Sequence, residues 1–174
     1  MPLFLDACAL AKRYLHEGES TRKMRDITGR FNRWGGFVVS SLIEPEVISA
    51  LGKHARAQAP HHQEHYYQLH PGVVDAFRRD LCRPHVTIIP VTDDEVEAAA
   101  DLLKAHPEYS IGAGDAIHLA TALALAKQAR SGTPLVFVTA DRGLAEAARE
   151  KGLTVFNPLY QRAEELEEIV QSGT

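Results

Sequence analysis

LFLDACALAKRYL, residues 3–15, begins as a short apolar strand, passes through one carboxylate at Asp6 and continues as a helical pattern. The same alternation of short apolar runs with longer helical patterns continues along the chain, and it is typical of a parallel sheet covered by helices. The sequence therefore predicts an α/β fold. It also raises the question of why an ionisable group stands between the first strand and the first helix.

Five strands are predicted from runs rich in Val, Ile, Phe and Thr, a composition typical of buried strands. They are Leu3–Leu5, Gly36–Ser40, Val86–Val91, Leu135–Thr139 and Thr154–Phe156. Helices are predicted at Ala9–Leu15, Ser20–Arg33, Pro45–Ala57, Asp93–Ala105, Asp115–Arg130, Leu144–Lys151 and Gln161–Val170. Residues 57–85 break the alternation, and we interpret this His-rich segment as a helical insertion in a single domain that spans residues 1–174.

Length and composition favour one soluble globular domain. The chain has 174 residues, of which 45% are hydrophobic and 24% are charged, as is usual for a domain with one core. No apolar run approaches the roughly 20 residues that cross a bilayer, and Asp6 and Lys12 fall where a secretory leader would need its hydrophobic stretch. We therefore expect a cytoplasmic protein with no membrane segment. Cys8 and Cys82 lack the spacing of a zinc knuckle and are expected to be buried free thiols.

Acidic residues follow the predicted strands. Asp6 comes after the first strand, Glu44 and Glu46 after the second. Asp141 comes after the fourth, and Asp115 opens the helix of GDAIHLATALALA. Each of the three aspartates alone is explained as a helix cap or a first-turn carboxylate that the helix dipole favours. Ligands of open α/β sheets gather outside the carboxyl ends of the strands, and parallel topology brings these acids to that edge. The sequence therefore predicts an acidic pocket there.

A cluster of carboxylates repels itself unless a divalent cation neutralises it. Hard oxygen ligands without His or Cys favour Mg²⁺ or Mn²⁺ over zinc, and a partly hydrated Mg²⁺ is the usual cofactor of phosphodiester hydrolysis. Glu44 and Glu46 would point about 200° apart on a helix, so only one of them is expected to reach such a metal.

Four stretches resemble the PIN-domain nucleases and, among them, the VapC-type toxins of bacterial toxin–antitoxin modules. They are FLDACALAKRYL, VVSSLIEPEVISAL, GDAIHLATALALA and FVTADRGLAEAAREKGLTVFNP, which run in this order from near the N-terminus to about Pro158. The resemblance implies a three-layer α/β/α fold with a mostly parallel central sheet. It also implies an endoribonuclease that depends on Mg²⁺ or Mn²⁺, a homodimer, and a cognate antitoxin that inserts a basic side chain into the acidic pocket.

The resemblance places the family's four acids, which bind the metal and carry the catalysis, on Asp6, Glu46, Asp115 and Asp141. It leaves Glu44 at a variable position. Thr139 matches a hydroxyl that is common in the family's last motif and that would hold a water at the metal. Cys8 is a departure, because the family often has Ser, Thr or Asn there. We interpret His118, in the DAIHLA stretch, as a structural histidine rather than an acid–base catalyst.

The basic residues are concentrated near the N-terminus. Residues 1–87 carry 12 Lys and Arg against 9 Asp and Glu, whereas residues 88–174 carry 7 against 14. We expect Lys12 and Arg13 to position RNA, although from charge alone a solvated helix face is an equally good explanation.

Two other functions stay open. A PIN-like scaffold could bind RNA or a partner protein without cutting it, although four intact acids argue against this. An aspartyl-phosphate phosphatase also uses an Asp after its first strand, but it typically needs a second Asp two residues further on, where this chain has Cys8.

Overall fold

The computed structural model of the chain describes residues 2–15, 17–30, 36–58, 63–128 and 135–172. Five strands in these ranges form one sheet: β1 (Leu3–Leu5), β2 (Phe37–Ser40), β3 (Val86–Ile89), β4 (Val136–Val138) and β5 (Thr154–Phe156). All neighbouring strands are parallel, and their order is β3-β2-β1-β4-β5. β1 therefore lies at the centre of the sheet.

Eight α-helices are found in the same ranges. They are α1 (Ala7–Lys12), α2 (Glu19–Gly29), α3 (Ile43–Gln58), α4 (Gln63–Leu81), α5 (Asp93–Ala105), α6 (Ala113–Gln128), α7 (Arg142–Glu150) and α8 (Ala163–Ser172). A short 3₁₀-helix, Pro107–Tyr109, precedes α6. In this part of the chain no helix is long and apolar enough to cross a bilayer.

The helices cover both faces of the sheet because the strand side chains alternate between them. Leu3 and Leu5 join the core formed with α1, α2, α3, α4 and α8, whereas Phe4 joins the core formed with α6 and α7. Phe4 stacks on Phe137 of β4, with ring centroids 5.6 Å apart. The predicted three-layer α/β/α architecture with a parallel sheet is thus confirmed.

Element positions agree with the sequence prediction, and element ends differ by a few residues. β1 and β5 match to the residue, and α5 does as well. α1 begins at Ala7 rather than Ala9, and α6 begins at Ala113 rather than Asp115. The predicted helix ends at Arg33 and Arg130 lie outside the described residues.

Two expectations about burial are wrong. β3 was predicted to be a buried strand, but it lies at the edge of the sheet and Ile88 is 46% exposed. Cys82, expected to be buried, lies on the surface just after α4. Both errors arise because burial depends on which element lies at the margin of the fold, and an apolar run does not carry that information.

The described part of the 57–85 segment, α4, contributes to the core. Val74 and Phe77 pack under α1, and the Tyr14 ring meets Phe77 edge to face at 5.5 Å between centroids. Asp80 accepts hydrogen bonds from Arg13 Nε at 3.1 Å and from the Tyr14 hydroxyl at 2.8 Å. These contacts attach α4 to α1; the domain boundaries and the insertion stay predictions.

Candidate functional site

The candidate site lies where the sheet topology changes direction. The chain passes from β1 outward through β2 to β3, and it then returns to place β4 on the other side of β1. Leu5 is paired with Val138, and the Asp6 backbone N–H donates to the Val138 carbonyl at 3.1 Å. The residues that follow β1 and β4 are therefore side by side, at the switch point where open α/β sheets commonly bind their ligands.

Asp6 is fully buried at this switch point. Its Oδ1 accepts from the Ala9 N–H at 2.7 Å, which makes Asp6 the N-cap of α1. Its Oδ2 accepts from the Thr139 hydroxyl at 2.6 Å and from Cys8 Sγ at 2.8 Å. Burial raises the pKa of Asp6 to about 6, although these hydrogen bonds oppose the rise. The carboxylate at the end of β1 is thus both a helix cap and a charge held in the interior.

The loop after β4 is fixed to Asp6 by Thr139 and Cys8. The Thr139 hydroxyl accepts from the Asp141 N–H at 3.0 Å, and Cys8 Sγ accepts from the Ala140 N–H at 3.2 Å. Asp141 in turn caps α7, since its Oδ1 accepts from the Leu144 N–H at 2.7 Å. Burial and the adjacent charge of Asp6 raise the pKa of the Cys8 thiol, so it stays protonated and can act as a donor.

Glu46 is oriented by a buried histidine. His118 Nε2 lies 2.8 Å from Glu46 Oε2, and His118 Nδ1 lies 2.9 Å from the Ser40 hydroxyl. A carboxylate only accepts, so Nε2 carries the proton and Nδ1 accepts from Ser40. The ring is inaccessible to solvent and has both nitrogens occupied. His118 therefore links Glu46 to Ser40 at the end of β2; its structural role stays a prediction.

A glycine makes room for the Glu46 carboxylate. A Cβ atom added at Gly114 would lie 1.7 Å from Glu46 Oε1, well inside any van der Waals contact. A side chain at position 114 would therefore displace the Glu46 carboxylate from its present position and from its hydrogen bond to His118.

Asp115, in the first turn of α6, lies within electrostatic reach of two other acids. Its Oδ2 accepts from the Gly112 N–H at 3.0 Å. Its pKa is raised by burial and, further, by the negative charges of Asp141 and Glu46, while the hydrogen bond from Gly112 opposes the rise. Asp115 is thus repelled by two acids that lie at the starts of two other helices.

The predicted acids fit a divalent cation by their chemistry. All their donor atoms are carboxylate oxygens, and the mutual repulsion at Asp115 would be relieved by a positive ion. In the side-chain positions described for this part of the chain, however, no three His, Cys, Asp or Glu groups converge as metal ligands. Asp6 faces its protein donors and Glu46 faces His118. A metal would therefore need side chains to turn from these partners.

Other predicted residues have partners of their own. Glu44 accepts from Arg78 Nε at 2.8 Å on the exposed side of α3, away from His118. Lys12 pairs with Glu17. Arg13 donates to Thr28 at 2.6 Å as well as to Asp80, so its guanidinium supports the packing of α1 against α2 and α4. RNA positioning by Lys12 and Arg13 stays a prediction.

Ser40 and Gly114 were not predicted as site residues from the sequence. Both stand inside motifs that carried the family resemblance, VVSSL and GDAIHLA. A glycine within the first turn of a helix was the available signal, because it has a poor helix propensity and is often kept for close packing. Ser40 carried no such signal, since a hydroxyl at a strand end is common.

Comparisons with known proteins agree with the fold of the chain. The structure resembles the crystal structure of FitAcB from Neisseria gonorrhoeae, with a TM-score of 0.58 and 15% identity, over 91% of this chain and 99% of that one. It also resembles VapBC2 from Rickettsia felis bound to a DNA fragment from their promoter, with a TM-score of 0.51 and 14% identity, over 90% and 98% of the two chains.

At these identities the two likenesses concern the fold alone. No curated protein sequence matches the chain. The family model described as PIN domain, however, matches residues 3–150, which include all four predicted acids. This chain belongs to the PIN domain family.

Proposed function

We propose that the chain is a Mg²⁺- or Mn²⁺-dependent endoribonuclease and the toxin of a type II toxin–antitoxin system. The observation that carries the proposal is the meeting of Asp6, Thr139 and Asp141 at the switch point, with Asp115 close enough to Asp141 and Glu46 for its pKa to rise. Membership of the PIN domain family and the motifs similar to VapC-type toxins support the same interpretation.

Asp6, Glu46, Asp115 and Asp141 are the residues that would hold the metal. When bound there, the ion would neutralise their charges and activate water for attack on an RNA phosphodiester. A cation would favour the ionised acids, because burial raises the pKa of Asp6 and of Asp115, and the negative charges of Asp141 and Glu46 add to the rise at Asp115.

The chain's other residues hold two of these acids in defined positions. Thr139 and Cys8 donate to one oxygen of Asp6 and so keep its charge in the interior, while the α1 backbone holds the other oxygen. His118 fixes the rotamer of Glu46. These contacts define the resting positions of the acids, from which Asp6 and Glu46 would turn to bind a metal.

Cleavage of a fluorescently labelled single-stranded RNA tests the activity. We expect Mg²⁺-dependent cleavage that is lost in Asp6→Asn and Asp115→Asn variants and falls strongly in Glu46→Gln. Glu44→Gln is the matched control, because Glu44 stands on the same helix but pairs with Arg78. Equal loss in both glutamate variants would contradict the assignment, and clean protein that binds RNA without ever cutting it would favour the non-cleaving scaffold.

We further infer a homodimeric cytoplasmic protein with an antitoxin partner. An acidic pocket of this kind is masked most directly by a Lys or Arg side chain of the partner, which would occupy the place of the metal or of an RNA phosphate. Co-expression with the product of the adjacent gene, followed by copurification and an RNA cleavage assay, tests this. Suppressed cleavage is expected, and a neighbour that neither binds nor inhibits would argue against the toxin role.

A further inference from the structure

Beside the acidic edge, a second surface has the features of a nucleotide-binding subsite. A groove of about 320 Å³ lies between α7 and the turn that follows β5. Its α7 wall carries Arg142, Glu146 and Arg149, which stand at i, i+4 and i+7 and so share one helix face. The groove begins one residue after Asp141 and extends for about 10 Å along the helix.

The opposite wall carries an exposed aromatic ring. Tyr160 is 73% exposed, more than any other large hydrophobic side chain in the described ranges. An isolated exposed ring is ordinary, but this one faces two arginines within a concavity. Aromatic rings beside guanidinium groups are the usual platform for the bases and phosphates of single-stranded nucleic acid.

The turn that carries Tyr160 is held rigidly. Asn157 is buried, its Oδ1 accepts from the Leu159 N–H at 2.9 Å, and its carbonyl accepts from the Tyr160 and Gln161 N–H groups at 3.2 and 3.0 Å. Lys23 adds hydrogen bonds to the Pro158 and Gln161 carbonyls at 2.8 and 2.6 Å. The ring is therefore presented from a fixed backbone, which reduces the entropy that a ligand must overcome.

Charge separates this groove from the one on the other side of the turn. Leu159, next to Tyr160, lines a groove that contains Glu17, Glu19 and Lys23 and so has more acidic than basic side chains. The Tyr160 groove has two arginines and one glutamate, Glu146, which accepts a hydrogen bond from Arg142 Nε at 2.9 Å. Only the Tyr160 side combines a stacking surface with excess positive charge.

We propose that this groove binds a nucleotide of single-stranded RNA next to the phosphodiester that is cut, with Tyr160 stacking on the base and Arg142 and Arg149 contacting backbone phosphates. The inference rests on the proposed ribonuclease function, because it takes the acids after β1 and β4 to mark the cleavage point. It assigns substrate binding to α7 and the turn 157–161 rather than to Lys12 and Arg13.

Fluorescence anisotropy with a labelled single-stranded RNA of random sequence tests the inference. The Asp115→Asn background keeps the RNA intact. Tyr160→Ala is expected to raise Kd about tenfold or more, as the loss of one stacked base does, and Tyr160→Phe should retain the affinity. Arg149→Gln should weaken binding and reduce the salt dependence of log K by about 0.7, the value for one lost phosphate contact on a single strand.

Leu159→Ala is the matched control, since it removes an exposed side chain from the same turn on the acidic side. It should leave RNA affinity unchanged. If the parent chain cleaves RNA but Tyr160→Ala binds it equally well, the subsite is refuted and the ribonuclease function stands. If Tyr160→Ala instead dissociates a dimer in analytical ultracentrifugation with RNA affinity retained, the ring belongs to a protein interface and the subsite is refuted. RNA that is neither bound nor cut by the parent chain would overturn both proposals.

Discussion

Asparagine in place of Asp6 should make the metal-free protein more stable at neutral pH. The pKa of Asp6 is about 6 in the folded chain, compared with 3.8 for a solvated aspartate. The folded state therefore holds a proton between these pH values that the unfolded state has already released, and the free energy of unfolding falls as pH rises through this window. The difference of about two pH units, at 1.36 kcal/mol for each, amounts to about 3 kcal/mol.

The asparagine side chain carries no charge, so the Asp6→Asn variant avoids this loss. Asparagine caps a helix as well as aspartate does, and its amide can donate to the Thr139 oxygen. We expect the variant and the parent to have similar stability near pH 4. Their difference should grow to as much as about 3 kcal/mol in favour of the variant by pH 7.5. Other groups titrate in both proteins, so their contributions cancel in the difference.

The assay is urea unfolding of both proteins in EDTA across pH 4 to 8, followed by circular dichroism. Added Mg²⁺ should then stabilise the parent at pH 7.5, by about 2.7 kcal/mol at a hundred times Kd, and should leave Asp6→Asn much less affected. A difference between the two proteins that stays constant over the whole pH range would show that Asp6 titrates normally. The account of a buried, costly charge at the end of β1 would then be wrong.

Three further substitutions test neighbouring parts of the structure. Gly114→Ala should abolish RNA cleavage but change the free energy of unfolding little, because a gain in helix propensity of about 1 kcal/mol offsets the loss of the Glu46–His118 hydrogen bond. Full activity in the RNA assay would refute the close approach of position 114 to the Glu46 carboxylate. Cys8→Ser should lower the pKa of Asp6 and raise the Mn²⁺ affinity measured by calorimetry severalfold, since a hydroxyl donates more strongly than a thiol. An unchanged affinity would mean that Cys8 serves the site as well as a hydroxyl residue does. Phe77→Ala should lower the free energy of unfolding by about 3–5 kcal/mol in urea, whereas a loss below about 1 kcal/mol would show that α4 is peripheral to the core.

Periodicity was sufficient to predict the layers and the sheet elements. The strand runs are short and bounded by turns, so their centres are readable, and α5 is marked at its start by Thr92 and Glu95, which form a capping box. The helix that follows β1 begins earlier than predicted because the Asp6 cap starts it at Ala7. The exposure of β3 could not be predicted in this way, because it follows from the order of the strands in the sheet, which is set by contacts between residues distant in sequence.

Each candidate acid could be identified from the sequence, but the side chains that contact these acids could not be predicted. Glu46 and Glu44 look equivalent in sequence, and they are separated by what faces them, His118 in one case and Arg78 in the other. Cys8 was interpreted as a missing hydroxyl, yet its thiol donates to Asp6 at 2.8 Å and so takes over part of that role. The contacts of Glu46 and Glu44 join elements that are far apart in the chain, which local patterns do not encode.

The position of β4 next to the central strand β1 determines when the candidate site can form during synthesis. Thr139 meets Asp6 across 133 residues of chain, so the middle of the sheet stays open until most of the polypeptide has left the ribosome. The growing chain thus contains Asp6 early but lacks Asp141 until late in synthesis. Until β4 is added, one edge of β1 has no neighbouring strand. Under the proposed function, the nascent chain therefore cannot complete its acidic site before β4 has been synthesised. A product released before β4 would be an inactive fragment with an open strand edge, which cells remove by proteolysis or lose to aggregation.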